Sequence, residues 1–282
     1  MKIFAYTAFA LVAFAFNSIL CRLALGREAI DAASFTTVRL VSGALTLTAI
    51  SWVFNRRASI RESGSWLSAF FLFAYAICFS LAYLDLTAAT GALILFGAVQ
   101  LTMIGVALVR GERPKPLEWL GLILAFAGLV YLVFPGLSAP PPVSSMLMLI
   151  AGIAWGFYTL RGKGSDNPLA DTTGNFIRTV PMTVVALLPF FSQIQASHEG
   201  VILAILSGAI TSGIGYSVWY AALKHHTATR AAALQLSVPA ITAISGVIVL
   251  AEKLSLRLVL ASCLILGGIG LVILGRQKIK KS

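Results

Sequence analysis

Ten runs of mostly apolar residues, each about 20 residues long, follow one another along this chain with short polar connections between them. A run of that length crosses the hydrocarbon core of a bilayer as an α-helix, because a helix satisfies its own backbone hydrogen bonds. The composition agrees, since 59% of the 282 residues are hydrophobic and only 11% are charged. We therefore predict an all-α integral membrane protein with ten transmembrane helices. The predicted spans are 3–25, 33–54, 66–86, 89–109, 118–134, 143–160, 173–192, 200–223, 230–251 and 257–275.

Basic residues are distributed unevenly between these spans. If the helices alternate in direction, 15 of the 21 Lys and Arg residues share the side of the N-terminus, three lie on the opposite side and three fall within spans. Short loops rich in Lys and Arg stay in the cytoplasm, so both termini are expected to be cytoplasmic. Orientation thus explains the formal charge of +11, and no nucleic-acid partner is predicted.

The two halves of the chain resemble each other at a shift of about 139 residues. The matching segments are 15–22 with 154–161, 31–39 with 171–178, 88–90 with 227–229, and 110–113 with 250–253. Because each half holds five helices, an odd number, the second half enters the membrane in the opposite direction. We predict two inverted five-helix repeats, residues 1–136 and 143–276, and a basic cytoplasmic tail at 277–282. Secondary transporters are built in this way and bind substrate between the repeats.

Motifs of other membrane-protein classes are missing from the sequence. Residues 156–164 resemble a phosphate-binding loop, but the spacing is wrong and no Ser or Thr follows Lys163, which excludes ATP-driven pumping. Neither HExxH nor GxSxG occurs, so a transporter is predicted rather than an enzyme, although enzymes and scaffolds also arise by duplication. The three cysteines form no CxxC pair, and no metal or cofactor is predicted.

Polar and aromatic side chains within the spans indicate a transport pathway. An amide in hydrocarbon needs a partner, so Asn17, Gln100 and Gln235 should face the interior, where helix–helix hydrogen bonds and substrate contacts are equally expected. Aromatic rings stack on substrates or attract an ammonium group, whereas Tyr83 and Tyr220, near span ends, also suit anchoring at the membrane surface. The predicted substrate-binding residues are Asn17, Tyr75, Tyr83, Phe96, Gln100, Trp155, Tyr158, Tyr216, Trp219 and Gln235.

Three arginines lie in or at the ends of spans. Arg39 and Arg178 lie several residues inside the second and seventh spans, and Arg22 ends the first. A buried arginine can bind a substrate carboxylate, but it can also reach the membrane surface with its long side chain or close a gate by pairing with an acid. We favour the gate or surface interpretation. The candidate acidic partners are Asp31, Asp171 and Glu28.

The sequence places no carboxylate or histidine at membrane depth, where proton-coupled transport usually requires one. All ten Asp and Glu residues fall in loops, turns or helix ends, and the three His residues fall in loops. Facilitative transport or exchange is therefore expected. A cationic drug requires a buried acid and a phosphate-bearing metabolite requires several buried bases, so small zwitterions agree best with this composition. A drug exporter and a carrier of another metabolite stay open as alternatives.

Several residues together resemble the EamA repeat of the drug/metabolite transporter superfamily. They are Trp155-Gly156 followed by Arg161, the arginines early in the second and seventh spans, Pro239, Glu112 and Glu252. The resemblance covers nearly the whole chain and is greatest to YddG-type exporters. It implies a multi-pass protein of a bacterial inner membrane that exports aromatic and other neutral amino acids by alternating access, as a monomer or weak homodimer surrounded by lipid. Phe16-Asn17 and Gln100 depart from the pattern.

Overall fold

Ten helices of 14 residues or more account for nearly all of the part of the chain that the structure, a computed structural model, describes. The described residues are 2–54, 63–111, 115–134, 136, 139–163, 165–188, 194–223, 225, 234–235 and 237–277. The helices are α1 (Lys2–Gly26), α2 (Ala32–Phe54), α3 (Trp66–Ala82), α4 (Ala88–Val109), α5 (Pro116–Val133), α6 (Pro142–Gly162), α7 (Pro168–Leu187), α8 (His198–Leu223), α9 (Ser237–Leu250) and α10 (Leu256–Gln277). The prediction of an all-α fold with ten helices is confirmed.

Seven of these helices are long and apolar enough to cross a membrane by length and composition. The other three in the described part are α3 and α9, which are apolar but shorter, and α7, which has 20 residues but is more polar. The polar residues of α7 are largely buried against other helices, among them Thr172, Thr173 and Asn175. Tertiary packing thus explains why α7 lies in the bundle despite its low hydropathy.

Residues with specific capping chemistry set several helix boundaries. Ser65 precedes α3 and its side chain accepts a hydrogen bond from the backbone N–H of Ser68, and Thr87 caps α4 through Thr90 in the same way. The helices α5, α6 and α7 each begin with a proline, whose missing N–H costs nothing in the first turn. Gly111, with φ of 89°, follows α4 in the left-handed conformation that ends many helices.

Helix contacts repeat between the two halves of the chain. The first helix of the first half, α1, packs against α8 and α9 of the second half. The first helix of the second half, α6, packs in the same way against α3 and α4 of the first half. The helices α2 and α7 pack together, as do α5 and α10. When every helix is replaced by its counterpart in the other half, α1 by α6, α2 by α7 and so on, each contact becomes a contact that is also present. This is the arrangement expected of two inverted five-helix repeats, and it places the boundary between the halves at the centre of the bundle.

Glycine allows α5 and α10 to touch through their backbones, and this close approach predicts an effect on stability. A Cβ atom added at Gly268 would lie 2.5 Å from the carbonyl oxygen of Gly121 and 2.6 Å from the backbone nitrogen of Ala125. We expect Gly268→Ala to destabilise the protein by about 2 kcal/mol, because overpacking forces the helices apart. Thermal unfolding of the purified protein in detergent measures this change.

The neighbouring Gly267 provides the matched control, since a Cβ atom there meets nothing within 4 Å. Gly267→Ala should unfold at the same temperature as the wild type or slightly above it, because alanine favours helix by about 1 kcal/mol over glycine. Equal unfolding temperatures for the two variants would contradict the close backbone packing of α5 on α10.

Candidate functional site

A small cavity lies at the centre of the bundle and is lined by five helices, α1, α3, α4, α6 and α8. Its lining residues are Phe14, Asn17, Ser18, Tyr75, Phe79, Leu95, Phe96, Trp155 and Tyr216. Both halves of the chain contribute to it. The space available to the centre of a water molecule measures only about 10 Å³, which is room for about one water molecule. An organic substrate therefore enters this central cavity only when side chains move.

Aromatic rings form most of the cavity wall, with Trp155 of α6 at their centre. The ring of Trp155 lies 4.8 Å between centroids from both Tyr75 and Tyr216, and 5.5 Å from Tyr158. Phe14 meets Trp155 and Tyr216 edge to face, at 6.3 and 5.7 Å. Rings in such contacts are held in place by one another and present flat apolar faces to a bound molecule. Tyr75, Trp155, Tyr216 and Phe96 of the predicted site therefore line one cavity.

Asn17 supplies the polar edge of the cavity. Its side-chain N–H donates to the hydroxyl of Tyr75 at 3.2 Å, and its oxygen accepts from the hydroxyls of Ser207 at 2.7 Å and Thr211 at 3.1 Å. The amide thus makes helix–helix hydrogen bonds and lines the cavity at once. Sequence reasoning did not single out Ser207 and Thr211, although their spacing of four residues within a span places both hydroxyls on one helix face.

The middle of α8 departs from α-helical geometry. Residues Ser207–Ile214 form a π-helix, whose wider turns are rare and occur frequently at functional sites. This segment carries the hydroxyls of Ser207, Thr211 and Ser212, which contact α1 and α2. Gly208 within it packs against the backbone of α2 with no room for a side chain. The π-helix therefore brings polar groups of the second half against the first half beside the cavity.

Arg39 of α2 lies directly behind this wall. Its side chain is buried, with 1% of the residue exposed. Nη2 donates to the hydroxyls of Tyr75 at 3.1 Å and Tyr216 at 3.4 Å, and Nε donates to the hydroxyl of Ser212 at 3.2 Å. The guanidinium carbon lies 5.2 and 5.0 Å from the ring centroids of Tyr75 and Phe79. Within the described chain, Nη1 has no hydrogen-bond partner.

This placement excludes the membrane-surface interpretation of Arg39, whereas a gating role for it stays a prediction. The residue does not reach a membrane surface, and its hydrogen bonds go to neutral hydroxyls rather than to a carboxylate. Asp31, one of the expected partners, instead accepts from the backbone N–H groups of Ser34 and Gln195. Arg178, the counterpart of Arg39 in α7, lies toward the side of the membrane that holds the N-terminus of the chain. It donates to the backbone oxygens of Ser63 and Gly174. The two arginines therefore have different environments in this structure.

Arg22 and Glu252 join the two halves on the side of the membrane opposite the N-terminus. Arg22 Nε lies 3.7 Å from a carboxylate oxygen of Glu252, and its Nη1 donates to the backbone oxygens of Tyr83 and Leu84. Both carboxylate oxygens of Glu252 accept from the backbone N–H of Ala88. Glu252 was not among the predicted partners of Arg22. This opposite-side cluster of Arg22, Glu252, Tyr83, Leu84 and Ala88 links α1, α3, α4 and the end of α9.

Tyr83 and Tyr220 are only 0% and 5% exposed, which contradicts the alternative of surface anchoring, and the substrate-binding role of Tyr83 stays a prediction. Tyr83 donates its hydroxyl proton to the backbone oxygen of Ala88 and packs edge to face on Phe79, at 4.7 Å between centroids. Tyr83 is therefore the member of the opposite-side cluster that contacts Phe79, a residue of the central cavity wall. Tyr220 lies on the other side of the cavity.

A larger polar cavity, the N-terminal vestibule, lies on the side of the N-terminus. It offers about 200 Å³ to the centre of a water molecule. Its lining residues are Gly64, Ser65, Ser68, Tyr158, Arg161, Gly162, Ser165, Pro168, Asp171, Thr172, Asn175 and Tyr220. Tyr158 lines this vestibule while Trp155, one turn away on α6, lines the central cavity. These two rings therefore separate the vestibule from the central cavity.

Besides Tyr83 and Tyr158, three further predicted site residues do not line the central cavity. Trp219 is buried behind it and contacts Phe14, with 5.6 Å between ring centroids. Gln100 and Gln235 are buried elsewhere in the bundle, and the amide nitrogen of Gln100 has no partner among the described residues. A substrate-binding role for these three residues stays a prediction.

Comparisons with known proteins place the chain in a family. The sequence model of the EamA-like transporter family matches residues 1–134 and again residues 143–274. An uncharacterized protein of Pseudomonas aeruginosa is 48% identical over 270 residues, which are 96% of this chain and 94% of the relative. An uncharacterized transporter of Archaeoglobus fulgidus is 30% identical over 174 residues, 59% of this chain and 61% of the relative. One crystal structure aligns over 98% of both chains with a TM-score of 0.70 and 17% identity, which shows the fold alone. The chain belongs to the EamA-like transporter family.

Proposed function

We propose that this transporter exports aromatic and other neutral amino acids from the cytoplasm by alternating access. The observation that carries the proposal is the closed central cavity, whose aromatic walls and polar edge come from both halves of the chain. Flat apolar walls suit the side chain of a hydrophobic amino acid, and a few placed polar groups suit its charged backbone. The likeness of the chain to amino-acid exporters, stated from its sequence, agrees with this choice.

Alternating access follows from what lies on each side of the cavity. Toward the N-terminus, the ring of Trp155 lines the cavity and the ring of Tyr158, 5.5 Å away between centroids, lines a polar vestibule. Toward the opposite side, the Arg22–Glu252 pair ties the helices together. Movement of the two rings admits substrate from the cytoplasm, which the distribution of basic residues places on the side of the N-terminus. Separation of Arg22 from Glu252 then releases it.

The cavity contains no group that could carry a proton between the two sides. Its lining residues include no Asp, Glu or His, and proton-coupled carriers use such groups at membrane depth. Export down the concentration gradient of the amino acid, or exchange of one amino acid for another, is therefore the proposed mode. An exporter of uncharged drugs is the second candidate, because aromatic walls bind such compounds equally well.

Counterflow in proteoliposomes tests this proposal. Vesicles loaded with unlabelled phenylalanine, threonine or methionine should accumulate the same labelled amino acid from outside, since exchange requires only a binding site that alternates. The rate should be the same with and without a pH gradient. Protein-free vesicles provide the control.

Accumulation that depends on the gradient would contradict the facilitative mode and implicate a carboxylate outside the cavity. Counterflow of a neutral drug with no counterflow of any amino acid would overturn the proposal in favour of the second candidate.

A further inference from the structure

We infer that the central cavity is a carboxylate-reading site, meaning that Arg39 recognises the carboxylate group of the substrate. The transporter should then accept aromatic monocarboxylates that lack an amino group as well as amino acids. The inference rests on the proposed function for the place of binding, and it specifies which chemical group is recognised there. Two observations support it. Arg39 is a buried cation without a counter-ion among the described residues, and two of its hydrogen-bond partners, Tyr75 and Tyr216, line the cavity.

A buried cation without a counter-ion is the first observation. Proteins pair buried charges because an isolated charge is costly away from water. Arg39 is fully enclosed, yet its described partners are three neutral hydroxyls, and Nη1 has none. The ion pairs of Arg22 with Glu252 and of Arg27 with Glu199 involve other residues. The guanidinium therefore keeps an unmet capacity for an anion.

Its position relative to the cavity is the second observation. Two of the hydroxyls bonded to Arg39 belong to Tyr75 and Tyr216, and both residues line the central cavity. A tyrosine hydroxyl that accepts from a guanidinium still has its own proton to donate. A carboxylate in the cavity can therefore accept from these hydroxyls while Arg39 stabilises its charge from behind. Charge-assisted hydrogen bonds of this kind are the strong ones.

The cavity offers nothing comparable to an ammonium group. Its lining residues include no acid, and the side-chain oxygen of Asn17 already accepts from Ser207 and Thr211. Aromatic faces and the neutral hydroxyl of Ser18 are left for a cation, and the positive field of Arg39 opposes it in a medium of low dielectric constant. Loss of the ammonium group should therefore weaken binding little, whereas loss of the carboxylate should weaken it greatly.

A series of phenylalanine analogues tests this on the wild-type protein. The probes compete with labelled phenylalanine for initial counterflow rates. 3-Phenylpropionate and phenylpyruvate keep the carboxylate and lack the ammonium group. 2-Phenylethylamine and phenylalanine amide keep the ammonium group and lack the carboxylate. We expect the carboxylates to inhibit within about threefold of unlabelled phenylalanine and the amines to be at least about thirtyfold weaker, the scale of removing one partner of a buried charge pair. Amines that inhibit as well as the carboxylates would overturn the inference.

Substitution of Arg39 tests the residue itself. The ratio of carboxylate to amine inhibition, measured in one sample, does not depend on how much protein is folded. Arg39→Lys should preserve most of the ratio because the charge stays, and Arg39→Gln should bring it close to one. Arg27→Gln removes a cation from an exposed pair, in which both side chains are 60% exposed, and should leave the ratio unchanged. An unchanged ratio in Arg39→Gln would contradict the role of this residue.

Failure of the proposed function remains distinguishable from failure of this inference. If no amino acid shows counterflow, the thermal unfolding of the purified protein is measured with 3-phenylpropionate or 2-phenylethylamine. A ligand that binds the folded state raises Tm. A saturable rise with the carboxylate alone supports an anion site in a transporter of other substrates. A rise with the amine alone, or with neither compound, overturns the carboxylate-reading site.

Discussion

Replacement of Trp155 by alanine is expected to reduce amino-acid counterflow at least about tenfold while the protein still reaches the membrane. Trp155 contacts Tyr75, Tyr158 and Tyr216 through its ring, so it forms both the cavity wall and the partition toward the vestibule. The substitution removes the ring from the cavity wall, and a loss of about 1.4 kcal/mol in the interaction with substrate is already a tenfold change. Tyr216→Ala should act in the same direction. Initial counterflow rates, normalised to purified protein, measure the effect.

Phe157 provides the matched control for this substitution. It lies two residues further along α6, where its ring stacks on Phe71 at 5.3 Å between centroids and does not line the cavity. Phe157→Ala should retain most of the rate, and Trp155→Phe, which keeps a ring beside Tyr75, should retain an intermediate part. Wild-type rates in both Trp155→Ala and Tyr216→Ala would contradict the placement of the substrate site.

Glu252→Gln is expected to open the side of the transporter opposite the N-terminus. Its carboxylate accepts from Ala88 and pairs with Arg22, and glutamine keeps the size but not the charge. Cys21, which is fully buried one turn beyond Asn17 on α1, provides a native reporter. The experiment uses a background with Cys78→Ala and Cys263→Ala. In it, we expect a membrane-impermeant maleimide to label Cys21 at least about tenfold faster in Glu252→Gln than in the charge-intact protein, which keeps Glu252. A tenfold change corresponds to the loss of a closing contact worth about 1.4 kcal/mol.

Glu199 serves as the control for loss of a carboxylate. It pairs with Arg27 at 3.3 Å, but both side chains are 60% exposed, and such exposed pairs contribute little. Glu199→Gln should leave the labelling of Cys21 at the slow rate of the charge-intact protein. Equal labelling rates in all three proteins would show that the opposite-side cluster does not hold this side closed.

The sequence predicted the architecture because its strongest signal is local. A largely uncharged run of about 20 residues has one stable solution in a bilayer, the helix. Two sets of five such runs with matching residues then required the inverted arrangement. Helical spacing also identified the deep aromatic residues, since Tyr75 and Tyr216 fall on polar and aromatic faces that are unfavourable against lipid. The structure brings both of them to the same cavity as Trp155.

Side-chain partners could not be obtained in this way. Arg22 lies 230 residues from Glu252, and Arg39 lies 173 residues from Ser212. Neither separation follows from helical periodicity. The π-helix at Ser207–Ile214 was likewise not predicted from the sequence.

The sequence by itself therefore determined that the chain spans a membrane and that its halves are inverted copies. It also predicted ten helices, the number found in the part of the chain that the structure describes. Each of these properties follows from hydropathy, length and order along the chain. Only the tertiary structure decided that Arg39 lies behind the cavity wall without an acidic partner among the described residues, and that Arg22 pairs with Glu252 on the opposite side. The physical reason is that a bilayer makes helix formation a local necessity, whereas the rotation of each helix is set by packing against helices distant in sequence.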